Sequence, residues 1–146
     1  MIQYQDILEA LTKTIKGQFK SIPIYGDEVR EGYKKPSFFI GILPVNSINH
    51  TKAIREEQLL VTVSYFSDTS QSLKNYKVLQ ELKLLLGQVL SVGDRKLTIS
   101  EITTHQVGEE GDIYQISFSL HYYELANAED DSPVATEFIY KQKGVS

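Results

Sequence analysis

The chain has no cysteine. That excludes a disulfide framework and any thiolate metal site. It also lacks a long apolar run: nothing approaches the roughly 20 residues of a membrane span. The opening Met1-Ile2-Gln3-Tyr4-Gln5-Asp6 has no basic stretch, so the start does not read as a signal peptide. Basic excess is missing too. Fifteen Lys and Arg stand against 19 Asp and Glu, giving a formal net charge of −4 and a pI near 5.4. A surface built to grip a phosphate backbone needs clustered cations, and this balance argues against one. Tryptophan is absent, but nine Tyr and six Phe supply strand-forming aromatics. At 146 residues the chain fits one domain with a core that needs no covalent staples.

Familiar chemical motifs are missing as well. There is no Gly-x-Ser-x-Gly, no Gly-rich phosphate loop and no His-Glu-x-x-His. His50 falls in a polar segment, while His105 and His121 fall on consecutive strands that could bring them together. No Asp, Glu or Cys stands at metal-ligand spacing beside them. Gly108-Glu109-Glu110-Gly111-Asp112 reads as a hairpin tip rather than a calcium loop, because alternating oxygen ligands are lacking. Lys34-Lys35 and Arg95-Lys96 are too short for a nucleic-acid patch. The expectation is a protein that is not an enzyme, with no catalytic, cofactor or metal residues.

Hydrophobic periodicity lays out the elements. Tyr4, Ile7, Leu8, Leu11, Ile15 and Phe19 recur at helical steps, with Lys13, Lys16 and Lys20 between them. Pro23 stops that helix. Ile22 to Tyr25 is a short extended piece, and Gly26 to Lys35 a turn region. Ser37 to Leu43 is apolar on both faces, as a central strand would be. Val45 to Arg55 is polar and predicts a long loop, of the kind that is often mobile or functional. Glu56 to Phe66 alternates. Leu59, Val61, Val63 and Tyr65 share one face, and a mixed set shares the other.

Ser67-Asp68-Thr69-Ser70 offers caps for a second helix carrying Leu73, Tyr76, Leu79, Leu82, Leu86 and Val89. Lys96 to Val107 predicts a strand whose alternation slips, calling for a bulge near Ser100 or Glu101. Asp112 to Tyr123 is the clearest strand: Tyr114, Ile116, Phe118, Leu120 and Tyr122 point one way. The predicted fold class is α+β, a single domain with a mixed or antiparallel sheet of about four to five strands and two helices on one face. Residues 1–125 form that domain, and 126–146 an acidic linker and C-terminal arm. In the arm, Phe138-Ile139-Tyr140 is too small to make its own core. It must fold back on its own sheet or dock on a neighbour.

Four segments carry a resemblance. Ile22-Pro23-Ile24-Tyr25-Gly26 follows the opening helix, then comes Lys35-Pro36-Ser37-Phe38-Phe39-Ile40. Val61-Thr62-Val63-Ser64-Tyr65-Phe66 precedes a Ser/Asp-capped helix, and the last strand ends in Tyr122-Tyr123-Glu124. Over residues 1–124 this order resembles the tail terminator (tail completion) proteins of long-tailed bacteriophages and prophages. The resemblance implies a non-enzymatic virion protein of the tail, assembled in the bacterial host cytoplasm. It would cap the tail tube as a ring, usually of six, end its polymerisation and present the surface that joins the head. Its partners would be itself, the tail tube protein and a neck or head-completion protein. DNA would pass through without specific binding, and no membrane would be involved. A neck protein of the same virion, a small ligand-binding or enzymatic module and a cellular assembly factor are the alternatives.

Under this resemblance the expected subunit or tube contacts are His50 and Arg55 in the polar loop and Phe138, Ile139 and Tyr140 in the arm. Glu109, Glu110 and Asp112 are the expected lumen acids, with Glu28 and Glu31 as a second set. Carboxylates there would repel phosphate and let DNA slide.

Overall fold

The first helix forms where the 3.6-residue repeat predicts it. In the computed structural model, which describes residues 2–26, 31–108 and 111–125, α1 spans Tyr4–Gln18. The Asp6 carboxylate accepts the Gln3 backbone N–H at 2.9 Å, satisfying a donor that the helix start leaves open. Ile7, Leu11 and Ile15 are fully buried, whereas Tyr4 is largely exposed and lies off the buried stripe. Phe19 then packs edge-on against Phe38 at 5.1 Å, tying the helix to the sheet.

The strands are β1 (Ile24–Gly26), β2 (Ser37–Asn49), β3 (Ile54–Phe66), β4 (Val89–Val92), β5 (Arg95–Ile99), β6 (Thr103–Val107) and β7 (Ile113–Leu125), with α2 (Ser72–Leu86) between β3 and β4. They form one sheet in the order β1-β2-β3-β7-β5-β4, with β6 also on β7. Among the described residues, only β1 and β2 pair in parallel. The α+β class and the mixed sheet are as expected, but the sheet has seven strands rather than four to five.

Two local effects account for the difference. Gly87, at φ +58°, closes α2 with its N–H on the Lys83 carbonyl. Val89 therefore leaves the helix and enters a hairpin, in which Leu90 faces Leu97 and Val92 faces Arg95. The slip near Ser100 is a full break, not a bulge. Residues on either side of it both lie on β7, β5 opposite His121 and Leu120, and β6 opposite Ser117 to Ile113.

The loop expected over residues 45–55 is also replaced. Strands β2 and β3 are 13 residues each and stay paired as far as Asn49 and Arg55, with one register shift between Pro44 and Asn46. Cross-strand bonds stabilise what composition disfavours. Ser47 Oγ donates to Glu57 Oε1 at 2.7 Å, and Arg55 Nε donates to Asn49 Oδ1 at 3.2 Å.

The core lies on one face of the sheet. Leu59, Val61, Val63 and Tyr65 of β3 and Tyr114, Ile116, Phe118, Leu120 and Tyr122 of β7 are buried there, as their alternation predicts. Both helices add to that cluster, α2 through Leu79, Leu82 and Leu86. Leu73 remains exposed and Tyr76 half-exposed, so the buried part of the predicted α2 stripe is shorter than the sequence suggests. The Ser67–Ser70 segment does not cap α2 with a side chain; the cap position is Gln71. Ser67 Oγ instead donates to Asn75 Oδ1 at 2.6 Å, inside the fold.

Candidate interaction surface

Beyond Gly41, strand β2 has a partner on one side only. β1 covers its outer edge at Phe38, Phe39 and Ile40, and no other described strand pairs there. Residues 43–50 are all exposed. The turn at residues 50–53 is closed by the Thr51 hydroxyl, which accepts the N–H groups of Ala53 and Ile54. The hairpin end is therefore ordered by its own bonds while carrying apolar side chains into solvent. Leu43, Val45, Ile48, Ile54, Tyr123 and Leu125 are all exposed. Register gathers several of them: Ile48 and Tyr123 both face Glu56 from opposite sides, and Ile54 faces Leu125. A cluster of exposed apolar side chains on one end of a sheet makes this end the candidate contact surface.

Beneath it runs a network of charge. Glu57 and Glu124 are each only 6% exposed, and carboxylates are buried at this level only when paired. Arg55 Nη1 approaches Glu57 Oε2 at 3.7 Å, and Arg95 Nη1 approaches Glu124 Oε2 at 3.6 Å. The Ile2 N–H donates to Glu124 at 3.0 Å, and Arg95 also donates to the Tyr123 carbonyl at 2.9 Å. The network thus ties the N-terminus, the β4–β5 turn and the end of β7 to the base of the hairpin. It lines a cavity of about 210 Å³ with Tyr4 and Tyr122. Burial pushes the Tyr122 hydroxyl up to about 12, with Glu57, Tyr4 and Glu124 adding to the rise and Arg95 opposing it. The phenol stays neutral among the carboxylates.

A sequence profile of the phage tail terminator protein matches residues 6–132, most of the chain. This chain belongs to the phage tail terminator family. No curated protein matches it. A solved structure that carries no functional name has the same fold, with a TM-score of 0.50 at 17% identity, covering 86% of this chain and 96% of that one. A chain from the virion of a native gene transfer agent particle is similar at a TM-score of 0.45 and 14% identity, covering 83% and 90%. The tail terminator assignment rests on the profile and makes this a structural protein of the virion tail, working among other tail components.

In the tail terminator, the residues expected at contacts are only partly brought together. His50 and Arg55 both stand at the hairpin end, His50 in the turn and Arg55 in β3 rather than in a loop. His50 Nε2 lies 2.9 Å from Glu56 Oε1, and its ring is 5.9 Å from that of Tyr123. Of the expected lumen acids, Asp112 is close to Lys35 Nζ at 3.4 Å, and Glu31 is exposed. Glu28, Glu109, Glu110, Phe138, Ile139 and Tyr140 lie outside the described residues.

His105 and His121 are not neighbours. His105 faces Gln115 and His121 faces Thr98, six positions apart on β7, or about 20 Å along a strand. Among the described residues, no three His, Asp or Glu side chains are grouped to hold a metal, and no helix is long and apolar enough to cross a membrane. Sequence reasoning missed Tyr123 and Leu125. Their signal was present, since Tyr123 interrupts the polar face Gln115, Ser117, Ser119 and His121 with an aromatic.

Proposed function

We propose that this protein caps the phage tail tube as a closed ring of identical subunits, six in number, ending tube polymerisation and offering the surface that joins tail to head. The observation that carries the reading is the hairpin end with its unpaired strand edge and exposed apolar side chains, in a chain of the tail terminator family. A head-to-tail interface repeated by rotation closes into a ring. The tube protein would meet one rim and a neck or head-completion protein the other, in particles assembled in the host cytoplasm. DNA would pass through a lumen that includes Glu109, Glu110 and Asp112 without being held, since carboxylates repel phosphate. Residues 126–146 would act as an arm, with Phe138, Ile139 and Tyr140 reaching a neighbouring subunit.

Polymerisation of the purified tail tube protein tests this. With the terminator added, electron microscopy should show tubes of limited length carrying a ring at one end. Tubes that grow to the same lengths with and without it, and bear no terminal density, would refute the capping role.

A further inference from the structure

The hydrogen-bond pattern fixes which backbone groups the sheet leaves open. The Ser67 N–H donates to the Asp112 carbonyl, and the His50 N–H to the Ile54 carbonyl. Antiparallel pairs alternate between bonded and non-bonded residues. Counting from these two bonds along the printed registers, Thr103, His105 and Val107 of β6 turn their peptide groups toward β7. Thr104 and Gln106 turn theirs away, to the open side. On β2, Phe38, Ile40, Ile42 and Pro44 turn outward, and after the register shift so do Ser47 and Asn49. One bond and one residue agree with this count. The Phe38 N–H, predicted to point outward, donates to the Pro23 carbonyl of the β1 side at 2.9 Å. Pro44 occupies an outward position, where a missing N–H costs no ladder bond.

We propose that the free edge of β2 beyond Pro44 and the register shift, residues 46–49, pairs antiparallel with the free edge of β6 in a second copy of this chain, joining successive subunits head to tail through one continuous sheet. The proposal rests on the ring reading above and names the contact that builds the ring.

Charge selects these two edges. Residues 37–51 contain no Asp, Glu, Lys or Arg, and neither do residues 102–108. Strand edges that stay free in a monomer are usually guarded by such charges, by proline or by a bulge. On β2 the last two stand at residues 44–46, and the edge beyond them carries none of the three.

Strand direction selects β6 over β4. Across the sheet β6, β7, β3 and β2 alternate in direction, so a following β6 with the same face inward lies antiparallel to β2. β4 is antiparallel to β5, which like β6 is antiparallel to β7. In that orientation it would run parallel to β2, the slightly weaker pairing.

The receiving side also has room. Beside β6, toward α2, lies a groove of about 380 Å³ lined by Tyr76, Gln80, Lys83, Thr104, Gln106 and Tyr114. Thr104 Oγ1 is buried there without a hydrogen-bond partner, and Tyr76 is half-exposed. A strand added to β6 would send alternate side chains into this groove. From β2 beyond the register shift those are the residues of the helix-side face, Ser47 and Asn49. The Ser and Asn side chains can supply the partner that Thr104 lacks. One contact of this length is short, so it holds when ring closure or a tube end makes the next one intramolecular.

The test uses two single variants of the full chain. Asn49→Pro removes an outward N–H from β2, and Thr104→Pro removes one from β6; neither breaks a ladder bond within the monomer. Native mass spectrometry and electron microscopy, alone and on purified tail tubes, read the assemblies. Wild type should form rings and each variant should lose them by more than tenfold. An equimolar mixture should form no rings either, since only β2 of the Thr104→Pro chain and β6 of the Asn49→Pro chain are intact and one such contact alone does not hold. Rings retained by both variants would overturn the edge pairing while leaving the ring reading in place. Loss in Asn49→Pro alone would instead indicate a two-fold β2–β2 contact and also overturn it. If wild type forms no ring in either setting, both readings fall. Should a proline variant melt more than 10 °C below wild type, Ile48→Lys and His105→Lys, at exposed positions, replace the pair with the same expected outcomes.

Discussion

Arg55 and Glu124 stand directly opposite each other on β3 and β7, yet each makes its ion pair elsewhere. Arg55 turns to Glu57 at 3.7 Å, and Glu124 takes Arg95 at 3.6 Å. The outcome is two buried carboxylates, each with its own guanidinium at the solvent edge. Such pairs are held less for net stability than for geometry, because the desolvation of the carboxylate offsets much of the attraction. Here the geometry fixed is that of the hairpin base relative to the N-terminus and the β4–β5 turn.

Removing one cation exposes that cost. Arg95→Ala leaves Glu124 buried with only the Ile2 N–H as a described partner, and takes a donor from the Tyr123 carbonyl. The expected loss is about 1–3 kcal/mol. Arg95→Lys should recover part of it, since a lysine keeps the charge but cannot reach both acceptors in fork geometry. Urea unfolding midpoints measure both; an unchanged midpoint for Arg95→Ala would show that the network does not bear on folding.

Tyr122 makes stability depend on alkaline pH. Its hydroxyl ionises at about 12 in the fold, against 10.0 for a free tyrosine. Between these values the unfolded chain gives up the proton and the folded chain keeps it. The contribution is therefore fully present below pH 10 and is lost as pH rises toward 12, amounting to about 2–3 kcal/mol at most. Tyr122→Phe removes this term. Thermal melts from pH 9 to 12 should fall less steeply for the variant than for wild type, and parallel curves would count against the assignment.

Asn75 is 1% exposed on α2. It accepts from Ser67 Oγ at 2.6 Å and donates to the Thr69 carbonyl at 3.1 Å. These bonds hold the β3–α2 connection closed from within. Asn75→Ala should destabilise by about 1–3 kcal/mol, because the Ser67 hydroxyl and the Thr69 carbonyl each lose a partner in a buried site and are left bonded to each other, at 2.9 Å. Hydrogen exchange should then quicken at residues 67–75 before the rest of the chain, and uniform quickening would argue for a global effect instead.

The core was legible because its signal is a period. Leu59, Val61, Val63 and Tyr65, and Tyr114 through Tyr122, alternate strictly, and burial follows that alternation. The hairpin end was not legible, because Asn46, Ser47 and Asn49 carry loop propensities that cross-strand bonds override. Val89 looked helical because it continued the stripe of α2, and only the positive φ at Gly87 separates it. The buried charge network could not be read at all. Arg55, Glu57, Arg95 and Glu124 come from three strands, and their meeting depends on register, which composition does not specify.

Leu43 and Leu125 separate folding from assembly most cleanly. They are 57% and 63% exposed, so they contribute little to the monomer's core. An exposed leucine changed to a polar residue alters stability by no more than about 0.5 kcal/mol. If the hairpin end is a contact surface, the same leucines are desolvated on assembly, and each is then worth about 1.5–3 kcal/mol when fully covered. Leu43→Gln with Leu125→Gln should therefore melt close to wild type yet bind tail tubes at least tenfold more weakly. The comparison needs one melting curve and one tube co-sedimentation titration per protein. A double variant that melts normally and sediments with tubes as wild type does would place the contact surface elsewhere on the fold. One that melts far below wild type would mean that these side chains pack within the monomer after all.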